Sequence, residues 1–567
     1  MEMRANKVFK NGMWGIAYRF LCIILSFVGR TFFIRFLSKE YLGISGLFTN
    51  VLSILSLSEM GFSSAVSFHL YRLLVKKDKE QIAGLMNFYK NVYRVVAVFV
   101  FVAGMIVLPF LRYIIKESPF SIRYVSLVYV IYLLKTVVSY LYSYNFTIAT
   151  ADQKSYLLTR VDIIVHLTVS IVNILTLALF RNFIIYLVVE IAINVLGSFI
   201  KSLRVRKRYP YIRLKNKIDK ATKKRVMKDV TNIFAEKMAT VVVTATDNII
   251  ISAMISIGVV GLYSNYSMII LNVQMLLTQF TSATQSSLGN MLAFESKEYS
   301  YSILKKLTII LYFVTCFCSV CLFVLLNPFI KIWLGPQYLL GIVVVALCVL
   351  NFYVQIVKTP LWFSVTGVGY FAKDRNIAIY GAVSNLVVSI ICAHFWGLAG
   401  VFFGTAFSQL TQWIFKCRLF VGKYLGKKIW EFFFISIGLL LLMAGMCAGI
   451  YFAFELFQIA NPYLDLILRL VACLIIPNVL NVLIFRKTEA FKYLKGLARR
   501  LFAKFLKRGG AVETSSQSTE QKSSSNDAVA TCTAKNKSKE VSTKVGLMLI
   551  FSAVILAVSI GLICICL

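Results

Sequence analysis

Charge is what this sequence has least of. Asp, Glu, Lys and Arg make up 15% of its 567 residues, against about 25% in an ordinary soluble domain, which excludes a soluble fold of this length. Histidine is rarer still, at three residues. Eight prolines and 30 glycines are too few for a fibrous or low-complexity chain. The 12 cysteines lie mostly inside apolar runs, as Cys316, Cys318 and Cys321 do, and Cys564 and Cys566. None has zinc-like spacing with histidine, and they read as small, reduced, buried residues. No P-loop, HExxH, GxSxG or loop of paired carboxylates occurs. The expectation is a chain that is no enzyme, holds no metal or cofactor, and drives nothing with an ATP site of its own.

What fills the sequence is apolar surface, 59% hydrophobic residues with a mean hydropathy of +0.77. A helix needs roughly 20 apolar residues to cross a hydrocarbon core of about 30 Å. By that measure spans fall near 13–36, 42–68, 91–112, 123–147, 160–180 and 182–200. A second set falls near 231–255, 257–283, 306–328, 340–365, 376–397 and 399–416, two more near 429–454 and 463–485, and a last near 545–567. The basic start, Met1–Asn11, precedes an apolar stretch too long for a signal peptide, so the first span is expected to stay uncleaved. The fold class expected is an all-α integral membrane protein of about 14 transmembrane helices. They form two parallel six-helix lobes plus two, with one extra C-terminal transmembrane helix.

The domain plan follows. An N-terminal lobe covers 1–200, a basic cytoplasmic connector 201–230, a C-terminal lobe 231–428, and transmembrane helices 13 and 14 lie in 429–485. Residues 486–508 place Phe491, Leu494, Leu497, Leu501 and Phe505 at helical spacing among basic residues, the pattern of an amphipathic helix on a membrane surface. The Ser- and Lys-rich stretch 509–544 reads as a disordered linker, and 545–567 as an accessory transmembrane helix.

Lys and Arg set the orientation. With the N-terminus in the cytoplasm, the basic loops all fall inside: Arg72, Lys76, Lys77 and Lys79; Lys201 through Lys228; Lys297, Lys305 and Lys306; and Lys416, Arg418, Lys423, Lys427 and Lys428. Arg112, Lys116, Arg123 and Lys331 are the main exceptions. The last span, if inserted, carries the C-terminus outside. The net charge of +37 is thus loop charge that orients helices and attracts anionic membrane lipids, and nothing supports nucleic-acid binding.

An internal echo fits the same plan. Gly43-Ile-Ser-Gly-Leu-Phe-Thr-Asn50 returns as Gly258-Val-Val-Gly-Leu-Tyr-Ser-Asn265, each near the start of the second span of its set. Copies an even number of spans apart run in the same direction, as in a parallel repeat.

An ionisable side chain at bilayer depth costs at least roughly 2.5–3.5 kcal/mol unless water or a partner receives it. Arg30, Lys135, Lys237 and Lys358 are the candidate cavity cations for an anionic head group, and Arg19, Glu59 and Asp247 the candidates for gating or ion coupling. The competing reading neutralises them in pairs, Arg19 with Glu59 and Arg30 with Asp247. Glu190 and Arg469, near span ends, read as local structure. Tyr263, Tyr266 and Trp362 could stack on sugar rings, although membrane aromatics more often serve packing.

Three stretches carry a resemblance. They are Gly29-Arg30-Thr31-Phe32-Phe33-Ile34-Arg35-Phe36-Leu37; Tyr41-Leu42-Gly43 through Leu55-Ser56-Leu57-Ser58-Glu59-Met60-Gly61; and Glu236-Lys237-Met238 with Thr246-Asp247-Asn248-Ile249-Ile250-Ile251-Ser252 and Gly261-Leu262-Tyr263-Ser264-Asn265. Over residues 1–490 the chain resembles polysaccharide biosynthesis proteins, the Wzx-type oligosaccharide flippases of the multidrug/oligosaccharidyl-lipid/polysaccharide exporter superfamily. The resemblance implies two six-helix lobes around a central cavity that opens to each side in turn. It implies a flippase for undecaprenyl-pyrophosphate-linked oligosaccharide in the bacterial cytoplasmic membrane, working for surface or exported polysaccharide, with polysaccharide-assembly membrane proteins as possible partners. A cation-coupled multidrug antiporter on the same fold is the alternative. A glycan polymerase would need a long outward loop, which this chain lacks.

Overall fold

The computed structural model describes residues 2–56, 60–214, 216, 218–457, 459–489, 491, 492 and 496, without the side chains of 2–13, 231–244, most of 279–294 and scattered others. Among the described residues there are helices and no strands. This is what lipid demands, since a helix satisfies its own backbone polar groups within one segment.

The first elements are α1 (Glu2–Phe36), α2 (Lys39–Leu55), α3 (Met60–Lys76), α4 (Lys79–Val107), α5 (Leu111–Ile114), α6 (Ile122–Ser143), α7 (Phe146–Ala151), α8 (Tyr156–Phe180) and α9 (Phe183–Arg208). There follow α10 (Lys220–Met254), α11 (Ile257–Phe294), α12 (Lys297–Trp333), α13 (Ile342–Val357), α14 (Thr359–Gly367), α15 (Phe371–Trp396), α16 (Leu398–Cys417), α17 (Ile429–Phe457) and α18 (Pro462–Phe485). Polar side chains stop the chain where helices begin. Asp78 accepts from the Gln81 amide, Ser121 from Tyr124, Asn182 from Ile184 and Ile185, and Asn461 from Tyr463 and Leu464, each filling orphan donors of a first turn. Asp219 caps α10 in the same way, and the Thr222 hydrogen bonds hold its carboxyl below the ordinary value of 3.8.

Among the described residues, eleven helical segments are long and apolar enough to cross a membrane. The expected spans near 42–68, 231–255 and 399–416 fall instead on α2 with α3, on α10 and on α16, which are outside that set. One expected span is interrupted: α13 gives way to α14 at Lys358, with Pro360 in the first turn that follows. The linker and last span lie outside the described residues, as does most of the amphipathic segment.

The chain divides into two compact units. One comprises Met1–Tyr266, Trp333–Leu340 and Ala378–Ser408, the other Ser267–Ile332, Gly341–Ile377 and Gln409–Leu567. In the first, α1 packs on α8, α8 on α9, α4 on α6, and α10 on α2 and α3. In the second, the core joins α12, α13, α17 and α18 through Tyr312, Cys316, Cys321, Tyr353, Met443, Cys447 and Cys473, all buried. These cysteines pack as apolar residues.

Candidate functional site

In the first unit Arg30 lies near the end of α1. Its Nη1 donates to Ser264 Oγ at 2.9 Å and to Asn265 Oδ1 at 3.2 Å. Glycines bring these acceptors within reach. A Cβ on Gly43 of α2 would lie 2.0 Å from the Ile257 carbonyl oxygen, and one on Gly261 of α11 would lie 2.0 Å from the Lys39 carbonyl oxygen. Only glycine allows α2 and α11 to approach so closely. Beside Arg30, Trp333 Nε1 donates to Thr31 Oγ1 at 2.8 Å.

The expected pairing of Arg30 with Asp247 is not made. Both carboxylate oxygens of Asp247 instead face Thr405 Oγ1, at 3.2 and 3.3 Å. Asn385 Nδ2 donates to that same hydroxyl at 3.0 Å, and Thr246 Oγ1 lies 3.4 Å from Asn385 Oδ1. Both Arg30 and Asp247 thus have neutral hydrogen-bond partners, with no opposite charge on either among the described residues. The reason is geometric, since α11 supplies neutral acceptors that reach Arg30 first.

Lys135 is compensated. Its Nζ lies 2.5 Å from Glu190 Oε1 of α9, with 35% and 19% of the two side chains exposed. The sequence reading had kept these two residues apart, one as a cavity cation and one as local structure; α6 packed on α9 joins them. Arg19 is exposed on α1. Glu59 lies outside the described residues, as does the Lys237 side chain, although its backbone is in α10.

In the second unit Lys358 stands at the junction of α13 and α14. Its Nζ donates to Gln409 Oε1 at 3.0 Å and sits 4.8 Å from the centre of the Trp362 ring. Gln409 Nε2 in turn donates to Asn351 Oδ1 at 3.3 Å. The same ring receives a second ammonium: Lys416 Nζ is 4.0 Å from its centre. Lys416 is ion-paired to Asp374, and only 2% of its side chain is exposed.

Lys416 corrects the sequence reading, which counted it among the basic loop residues. It belongs to the last turn of α16 and is buried there. Asp374 and Gln409 were missed altogether. The spacing of Lys358 and Trp362, one turn apart on a helix, was the one local signal available. Around this ring, two ammonium groups meet one carboxylate. Lys358 has none of its own among the described residues. Such a site can take up an anion or hold a polar ring against the indole. No group of three His, Cys, Asp or Glu able to hold a metal is found among the described residues.

Residues 8–285 match the sequence profile of the family described as Polysaccharide biosynthesis protein. No curated protein matches the chain. Among solved structures the fold is similar to "Lipid II flippase MurJ, inward closed conformation", at 14% identity and a TM-score of 0.60, covering 84% of this chain and 98% of that one. It is also similar to the "Inward-facing conformation of a multidrug resistance MATE family transporter of the MOP superfamily", at 13% identity and a TM-score of 0.56, covering 75% of this chain and 95% of that one. The fold is the one these two solved structures share, and the profile match over residues 8–285 agrees with the likeness to polysaccharide biosynthesis proteins read from the sequence.

Proposed function

We propose that this chain, a multi-span membrane protein whose N-terminal half matches the polysaccharide biosynthesis family on the exporter fold, is a flippase for undecaprenyl-pyrophosphate-linked oligosaccharide. It carries repeat units from the inner to the outer leaflet of the bacterial cytoplasmic membrane by alternating access, with its N-terminus in the cytoplasm. The N-terminal lobe of 1–200 and the C-terminal lobe of 231–428 are its moving parts.

The observation that carries this reading is a pair of cations that have no carboxylate partner among the described residues. Arg30 in one unit and Lys358 in the other are each held by neutral partners. A cation at this depth is stabilised by an arriving anion, and charge-assisted hydrogen bonds are roughly twice as strong as neutral ones. The pyrophosphate is the fixed anion of the proposed substrate, and Trp362 offers a face to a sugar ring. Arg30 and Lys358 are the substrate-binding cations, whereas Lys135 serves structure through Glu190.

Asp247 suits a different task. Its carboxylate, Thr405 Oγ1, Asn385 Oδ1 and Thr246 Oγ1 form a cluster of hard oxygens. Such oxygens suit a proton or sodium ion, which would couple the cycle to a gradient. A multidrug antiporter on this fold is the weaker reading, because an organic cation would be repelled by Arg30 and Lys358.

Depletion of the protein in cells tests the proposal. Lipid-linked repeat units should accumulate on the inner leaflet, and Arg30→Ala with Lys358→Ala should reproduce the accumulation at normal protein levels. A normal lipid-linked pool in depleted cells would defeat the flippase reading.

A further inference from the structure

The echoed segments have so far served only as a mark of repetition, yet the structure brings the two copies against each other. Gly43 of the first copy meets the Ile257 carbonyl just ahead of the second, and Gly261 of the second meets the Lys39 carbonyl just ahead of the first. Gly46 rests at ordinary contact distance from Val260, 3.5 Å from its Cγ1 as a Cβ would stand. A backbone strap lies alongside. Lys116 N donates to Ser252 O at 3.1 Å, Ile257 N to Lys116 O at 3.3 Å, and Ser252 Oγ to Ile114 O at 2.9 Å. Val260, at the centre, is fully buried.

These contacts differ from a side-chain core. Backbone carbonyls set against glycines leave nothing to repack, so the crossing is either closed or open. Arg30 joins the crossing from a third helix, through Ser264 and Asn265 of the second copy. We propose that the two copies form a clasp latched by Arg30, and that an anionic phosphate group arriving at Arg30 releases it. The exchange is favourable because the guanidinium trades two neutral acceptors for charged ones. This rests on the flippase reading for the source of the phosphate, and it assigns the repeated segments a job: closing one end of the path until the head group is in place.

Cysteine chemistry tests the clasp. In phosphatidylcholine vesicles holding the full chain with Val260→Cys, a membrane-impermeant maleimide should label weakly above the parent protein, and inorganic pyrophosphate should raise that labelling about fivefold. The rise should vanish when Arg30→Gln is added. No rise, or an equal rise in Arg30→Gln, would overturn the latch. Release by phosphatidylglycerol in the vesicles without pyrophosphate would assign the anion to bulk lipid and overturn the substrate trigger.

A second variant guards against misfolding. Gly46→Cys with Val260→Cys places two sulfurs within reach of a disulfide. The oxidised protein should stop clearing inner-leaflet lipid-linked glycan and recover on reduction. Clearance with the disulfide intact would overturn the clasp. The labelling needs no glycan, so pyrophosphate-released labelling with a normal glycan pool in depleted cells would sink the flippase reading and leave the clasp standing.

Discussion

Each compact unit lets a lysine paired with a carboxylate be set beside a cation that has none among the described residues. In the first, Lys135 has Glu190 while Arg30 is held by Ser264 and Asn265. In the second, Lys416 has Asp374 while Lys358 is held by Gln409 and the Trp362 face. All four lie in helices or at a helix junction, and as sequence they look alike. The difference separates structure from work. A paired charge at depth is satisfied and holds helices in place, while an unpaired one keeps an electrostatic vacancy that an anion can fill.

The sharpest way to break the comparison is to unpair a satisfied lysine. Asp374→Ala strands Lys416, whose side chain is 2% exposed, and should remove roughly 3–5 kcal/mol of stability. Thermal unfolding in detergent measures it, and adding Lys416→Met should restore most of the loss. If Asp374→Ala unfolds like the parent, the pair is not structural.

Glycine substitutions come next. Gly261→Ala pushes a methyl onto the Lys39 carbonyl and should destabilise by about 1–3 kcal/mol. Gly438→Ala in α17, with no atom within 4 Å of its Cβ, should be neutral or slightly stabilising. Equal effects of the two would mean that the close approach carries no weight.

Removing an unsatisfied cation should do the reverse of unpairing. Lys358→Met should leave the unfolding temperature unchanged or raised while glycan clearance drops about tenfold, a loss near 1.4 kcal/mol. A clear drop in stability with normal clearance would place Lys358 with the structural lysines. Glu190→Gln should cost less than Asp374→Ala, about 1 kcal/mol or below, because Lys135 is 35% exposed and water screens it. Acidification gives the smallest effect. The depressed carboxyl of Asp219 contributes stability above its ordinary value of 3.8, which is lost as pH falls through its lower folded value. Asp219→Ala should flatten that part of the pH–stability curve.

Apolar run length alone made the all-helical membrane class legible, because a bilayer leaves a chain of this composition few alternatives. The echoed segments, and the family likeness carried by residues such as Arg30 and Asp247, were legible for a similar reason: local pattern survives in sequence. What stayed hidden depended on contacts between distant residues. Nothing near Lys135 announces Glu190, 55 positions away, and Lys416 looks like any basic residue at a helix end until Asp374 and Trp362 close over it. Arg30 and Asp247 fall at similar depth in α1 and α10, and depth alone suggested a pair. The tertiary structure decided otherwise, because the glycines of α2 and α11 let α11 bring Ser264 and Asn265 to Arg30, while α16 set Thr405 against Asp247. Sequence fixes which side chains are costly at depth; only packing decides which of them are relieved.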